Sequence, residues 1–73
     1  MTPRLPAVSG EAAAKALGRA GFERISQRGS HIKLRDHQGR TVIVPRHREL
    51  ARGTLRSILK QANITIEDFA QLL

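Results

Sequence analysis

Apolar and polar positions alternate most cleanly in "HIKLR", residues 31–35. Ile32 and Leu34 face one way, and His31, Lys33 and Arg35 face the other, which predicts a half-buried strand. "RTVIVP", residues 40–45, is β-branched and stops at Pro45, which cannot donate to a ladder. "FERISQR", residues 22–28, is more polar but carries Phe22 and Ile25, and reads as a first strand. "GS" and "DHQG" punctuate the chain between these runs. Three strands joined by tight turns predict an antiparallel meander.

Helical periodicity flanks the meander. Ser9 is placed as an N-cap, with Glu11 well set for the helix dipole. "EAAAKALGRA" then offers an apolar stripe of Ala13, Ala16, Leu17 and Ala20. Gly18 weakens this helix slightly, and Gly21 suits its C-terminal exit. Leu55, Ile58, Leu59 and Ala62 form one face of a second helix, with Arg52, Arg56 and Lys60 on its other side. Thr65 caps a last short helix, with Asp68 in the capping-box place and Ile64 and Phe69 at the staple positions.

Residues 1–8, with Pro3 and Pro6, read as an extended lead-in. The order α-β-β-β-α plus a short C-terminal helix predicts an α+β fold, with the helices covering one sheet face. Ile25, Ile32, Leu34, Val42 and Val44 are expected to meet Leu17, Leu55, Ile58 and Leu59 there. The opposite face is left to His31, Lys33 and Arg35, with Thr41 and Ile43 beside them.

At 73 residues the chain is expected to be one domain, 1–73, with a thin stability margin. Cysteine is absent, so disulfides and thiolate metal sites are excluded. Apolar runs are too short for a transmembrane helix, and "MTPRLPAVSG" lacks a signal-type apolar core, so a cytoplasmic protein is expected. Thirteen Lys and Arg, ten of them Arg, stand against six Asp and Glu. Such a balance points to a polyanionic partner, most often nucleic acid, with an acidic protein or a merely soluble basic surface as the alternatives. Trp and Tyr are absent, which argues against a base-stacking sheet and for backbone-directed RNA binding.

The histidines at 31, 37 and 47 lack the HxxxH or HExxH spacing of a metal hydrolase, and no metal or cofactor is expected. "GSH" is not a serine-hydrolase elbow, and no phosphate-binding Gly-rich loop is present. RNA cleavage without a metal asks for less, because the substrate's 2′-OH is itself the nucleophile. An imidazole beside cations could take its proton while they hold the phosphate. His31 is the candidate base. Arg28, Lys33, Arg35 and Arg46 are candidate phosphate contacts, joined by Arg52, Arg56 and Lys60 on the second helix. His47 suits a phosphate contact, a structural hydrogen bond or a leaving-group acid, and His37 reads as a turn residue. On this chemistry alone, an RNA-binding module without catalysis and a basic protein-interaction domain stay open.

"GFERISQRGSHIKLR", "TVIVPRH" and "GTLRSILKQANI" together closely resemble the HicA toxin family of YcfA-like mRNA interferases. The resemblance spans nearly the whole chain from about Ser9. It implies a double-stranded-RNA-binding-domain-like fold and an mRNA endoribonuclease toxin that inhibits translation. It further implies neutralisation by a HicB-type antitoxin that covers the active face. The family's catalytic histidine carries over to His31, and Gly29 and Ser30 become the turn that presents it. "QAN" stands where "QAG" is common, so Asn63 must take a Gly-like role at the helix end.

Overall fold

The computed structural model describes residues 4–73; residues 1–3 of the expected lead-in, Pro3 among them, lie outside the described residues. The elements are α1 (Gly10–Arg19), β1 (Glu23–Arg28), β2 (His31–Arg35), β3 (Thr41–Pro45), α2 (Arg52–Ala62) and α3 (Ile66–Leu72). The strands form one antiparallel sheet in the order β1-β2-β3, with helices on one side, as the sequence pattern predicts.

Capping chemistry sets the helix limits. Ser9 Oγ accepts the Ala12 N–H at 3.0 Å, and Thr65 Oγ1 accepts the Asp68 N–H at 3.1 Å. α1 leaves through Gly21, at φ 103°, where the Phe22 N–H returns to the Leu17 carbonyl and the Gly21 N–H to Gly18. This Schellman pattern recurs after α2, where Asn63 sits in the left-handed region at φ 58° and ψ 44°. Asn63 therefore fills the Gly-like role expected of it.

Ile32 and Leu34 of β2 and Val42 and Val44 of β3 are fully buried against Leu17, Leu55, Ile58, Leu59 and Phe69. Each such side chain contributes about 1.5–3 kcal/mol through its removal from water. The lead-in also packs: Val8 is buried and its carbonyl accepts the Leu50 N–H at 2.8 Å. Among the described residues no helix is long and apolar enough to cross a membrane.

Two core expectations are corrected. Ile25 is 42% exposed, because the β1–β2 register shifts between Arg24 and Ser26. Such a bulge carries one unpaired residue and breaks the alternation. Arg24 thereby takes the helix side, where it is ion-paired with Glu11, and Ile25 moves to the open side near Arg35. Ala20 is exposed because α1 ends at Arg19, one residue before it could join the buried stripe.

α1 lies unusually close to β3. A Cβ on Gly10 would stand 1.9 Å from the Pro45 carbonyl oxygen and 2.8 Å from its carbon. Gly18, by contrast, has nothing within 4 Å of its Cβ position. Gly10→Ala is therefore expected to destabilise the fold by at least ~2–3 kcal/mol, since the neighbour in the way is backbone. Gly18→Ala should stabilise it by roughly 0.5–1 kcal/mol through helix propensity. The urea midpoints of the two variants should move in opposite directions.

Candidate active site

β1 and β2 are joined by the two residues Gly29 and Ser30, and Arg28 pairs with His31 across the closing position. Gly29 adopts φ 56°, a left-handed conformation that glycine reaches without steric cost. His31 thus opens the central strand, paired on its other side with Pro45 of β3. The Arg46 N–H donates to the Ser30 carbonyl, so the turn is held from the β3 side as well. Backbone pairing on both flanks, and not a mobile loop, places the imidazole.

Directly opposite residues of antiparallel strands share a face. The register therefore puts Ser26 and Arg28, His31 and Lys33, and Ile43 on the open side. These five side chains line a shallow depression of about 340 Å³. Its lining combines one apolar side chain with two cations, an imidazole and a hydroxyl, and contains no carboxylate. A larger depression of about 550 Å³ lies between the lead-in and the start of α2, around Arg4, Leu5, Glu49 and Arg52. It contains no imidazole, whereas the smaller one holds His31 among cations, so the smaller one is the better candidate site.

The other sequence-predicted residues are distributed unevenly. Arg35 continues the His31–Lys33 row, about 13 Å beyond His31 at roughly 3.3 Å per residue. Its Nε donates to Thr41 Oγ1 at 3.3 Å. Arg46 is not brought into the depression: its Nε stands 3.6 Å from Glu11 Oε2 on α1. His47 is exposed, and its carbonyl accepts the Gly10 N–H at 2.9 Å. Arg52, Arg56 and Lys60 are exposed on the outer side of α2, behind the helical layer and away from His31. They form a second cationic surface, about 6 Å apart along the helix axis. Among the described residues none of Arg28, Lys33, Arg35, Arg52, Arg56 or Lys60 makes a salt bridge.

Ser26 and Gly10 escaped the sequence reading. Counting back from the two-residue turn pairs Ser26 with Lys33, a signal that was available; the close approach at Gly10 left none. Among the described residues no group of three or more metal-ligating side chains gathers.

Two carboxylates are strongly engaged. The Arg24 hydrogen bond holds Glu11 below the usual carboxylate range, against a desolvation cost and with help from Arg46 and Lys15. Desolvation acts most strongly on Asp36 and pushes its carboxyl up. Hydrogen bonds from the Arg40 backbone and side chain and the Gln38 N–H together outweigh it, so the net shift is downward.

The fold and this depression define a small α+β domain of the double-stranded-RNA-binding-domain-like kind, with a histidine set among free cations on its open sheet face. The family model for the HicA toxin of bacterial toxin-antitoxin systems matches residues 10–64. The chain belongs to that family and is a toxin with an antitoxin as its counterpart. No curated protein matches the sequence.

Because both carboxylates titrate lower in the folded chain than in the unfolded one, their stabilisation is fully present above the ordinary carboxylate range. It is lost as pH falls from about 4 through the lowered folded values. Urea midpoints measured across that range should fall with pH, and Glu11→Gln and Asp36→Asn should each flatten the profile.

Proposed function

We propose that the protein is an mRNA interferase, a cytoplasmic endoribonuclease that cuts mRNA without a metal ion and so inhibits translation. One observation carries the reading: His31 is fixed at the head of the central strand in a depression whose other polar walls are Arg28, Lys33 and Ser26. Family membership supports the same activity.

In this reading the His31 imidazole takes the proton of a ribose 2′-hydroxyl. The freed oxygen attacks the adjacent phosphorus, the bond from phosphorus to the 5′-oxygen breaks, and the leaving oxygen takes a proton from water. The products are a 2′,3′-cyclic phosphate and a 5′-hydroxyl. Charge that builds on the non-bridging oxygens is met by Arg28 and Lys33. The nucleophile comes from the substrate and the base from the protein, so no metal is required. General-base catalysis contributes about 10²–10⁴-fold, and positioning and charge stabilisation supply the remainder. A HicB-type antitoxin fits as the neutralising partner: an acidic surface would complement the open face and would stabilise this small domain by mass action.

His31→Ala should lower RNA cleavage by about 10²–10⁴-fold while binding and fold persist, since the side chain is exposed. Wild-type cleavage should withstand EDTA. Undiminished cleavage by the variant would remove the assignment, and binding without any cleavage by wild type would mark a non-catalytic RNA-binding module.

The two cationic surfaces should separate in salt titrations. Arg28→Gln and Lys33→Gln should each reduce the log–log salt slope by about 0.7 for every phosphate the variant no longer neutralises, and each should also slow single-turnover cleavage. Joint replacement of Arg52, Arg56 and Lys60 by Gln should weaken binding while leaving the rate at saturating RNA unchanged.

A further inference from the structure

The open face is not purely ionic. Ile43 is 43% exposed, although its β3 neighbours Val42 and Val44 are fully buried. It stands directly opposite Lys33 and forms the apolar part of the His31 depression. The bulge in β1 delivers a second exposed isoleucine, Ile25, to the same side of the sheet. The two phenylalanines are buried and Trp and Tyr are absent, so no Phe, Tyr or Trp ring is offered to a base. At about 340 Å³ the depression lies near the lower end of small-ligand pockets, roughly 300–1,000 Å³. It has room for one nucleoside.

Its lining is complementary to a single nucleotide. Ile43 offers an apolar surface to the flat face of a base, and Ser26 a hydroxyl to its edge. Arg28 and Lys33 suit the phosphate, and His31 the ribose hydroxyl. We propose that Ile43 and Ser26 form a subsite for the base of the nucleotide whose 2′-hydroxyl His31 deprotonates. This rests on the ribonuclease reading and adds base contact to a face whose charges alone suggest backbone binding. Bases inside a duplex are stacked and paired and cannot present a face to Ile43. The subsite therefore requires an unpaired nucleotide on the 5′ side of the cut, despite the resemblance of the fold to double-stranded-RNA-binding domains. The cations favour RNA as the occupant, with no carboxylate in the depression to repel its phosphates.

The test is a cycle between enzyme and substrate. Wild type and Ile43→Thr, which keeps a β-branched residue at an exposed strand position, are assayed on a short single-stranded RNA with one cut site. Both are also assayed on the same RNA with an abasic ribonucleotide, its 2′-hydroxyl intact, 5′ of the cut. Removing the base should lower wild-type kcat/KM by about tenfold, the lower end of what a small apolar contact in a pocket contributes. Ile43→Thr should lose a similar factor on the normal RNA and no more on the abasic one. Ile43→Phe should lower KM on the normal RNA alone, and annealing a complementary strand over the site should suppress cleavage. Equal losses on both RNAs, or no loss on either, would overturn the subsite, as would an Ile43→Thr variant that loses only affinity for an antitoxin. Wild type that cuts no RNA at all would instead overturn the ribonuclease reading on which the subsite rests.

Discussion

The contact on which the rest of the structure leans is the meeting of two backbones. Gly10 opens α1 against the Pro45–Arg46 peptide, at a distance that a single methyl group would destroy. The Gly10 N–H donates to the His47 carbonyl, and the Arg46 N–H donates onward to the Ser30 carbonyl. Antiparallel ladder bonds fall on alternate residues, so with Arg46 bonded to Ser30 the missing N–H of Pro45, opposite His31, costs this ladder nothing. The path runs from α1 through the end of β3 to the Gly29–Ser30 turn and reaches His31 without passing through a flexible side chain. The Ala-rich face of α1 belongs to the same constraint. Ala13, Ala14 and Ala16 are buried where the helix lies close to its neighbours. A helix held so close has little room for longer side chains on that face.

Charge is sorted by the same layering. Glu11 on α1 engages Arg24 and Arg46, and Asp36 engages Arg40 in the β2–β3 turn. Glu67 and Asp68 occupy the first turn of α3, where the helix dipole favours them. Among the described residues Arg28, Lys33 and Arg35 on the sheet, and Arg52, Arg56 and Lys60 on α2, make no salt bridge. The open face is graded as well, because Glu23 stands opposite Arg35 at one end while Arg28 stands beside His31 at the other. A polyanion that lies on this face is drawn toward the imidazole end.

Much of this architecture was legible because it follows from local rules. The alternation of "HIKLR", the Ser9 and Thr65 caps and the left-handed Asn63 each depend on a few neighbouring residues, and each is where the pattern put it. Ile25 was not legible, because a bulge changes the parity of a strand without a mark in the residues that form it. Arg46 reads as a phosphate contact until the fold brings Glu11 beside it, from thirty-five positions away. Arg52, Arg56 and Lys60 were visible as a stripe, but only the packing of α2 turns that stripe away from His31. The likeness around G-S-H points to His31 more sharply than its chemistry does, since an exposed imidazole among cations has several uses.

β1 shows what the arrangement costs. None of its six residues is buried, so it is held by its ladder to β2 and by the Arg24–Glu11 pair. Yet it supplies Ser26 and Arg28, two of the five side chains around the depression. An unpaired outer strand of this kind invites edge-to-edge pairing, and bulges and charged side chains are the usual deterrents. β1 carries both: the shift at Arg24–Ser26 breaks the regular ladder, and Glu23, Arg24 and Arg28 line the strand. With that edge blunted and the other sheet face filled by helices, the open face is the broad sheet surface left to a partner. Under the proposed ribonuclease reading, substrate and antitoxin would compete for the same side chains, and occupation of that face would be sufficient for neutralisation without any change in the fold beneath it.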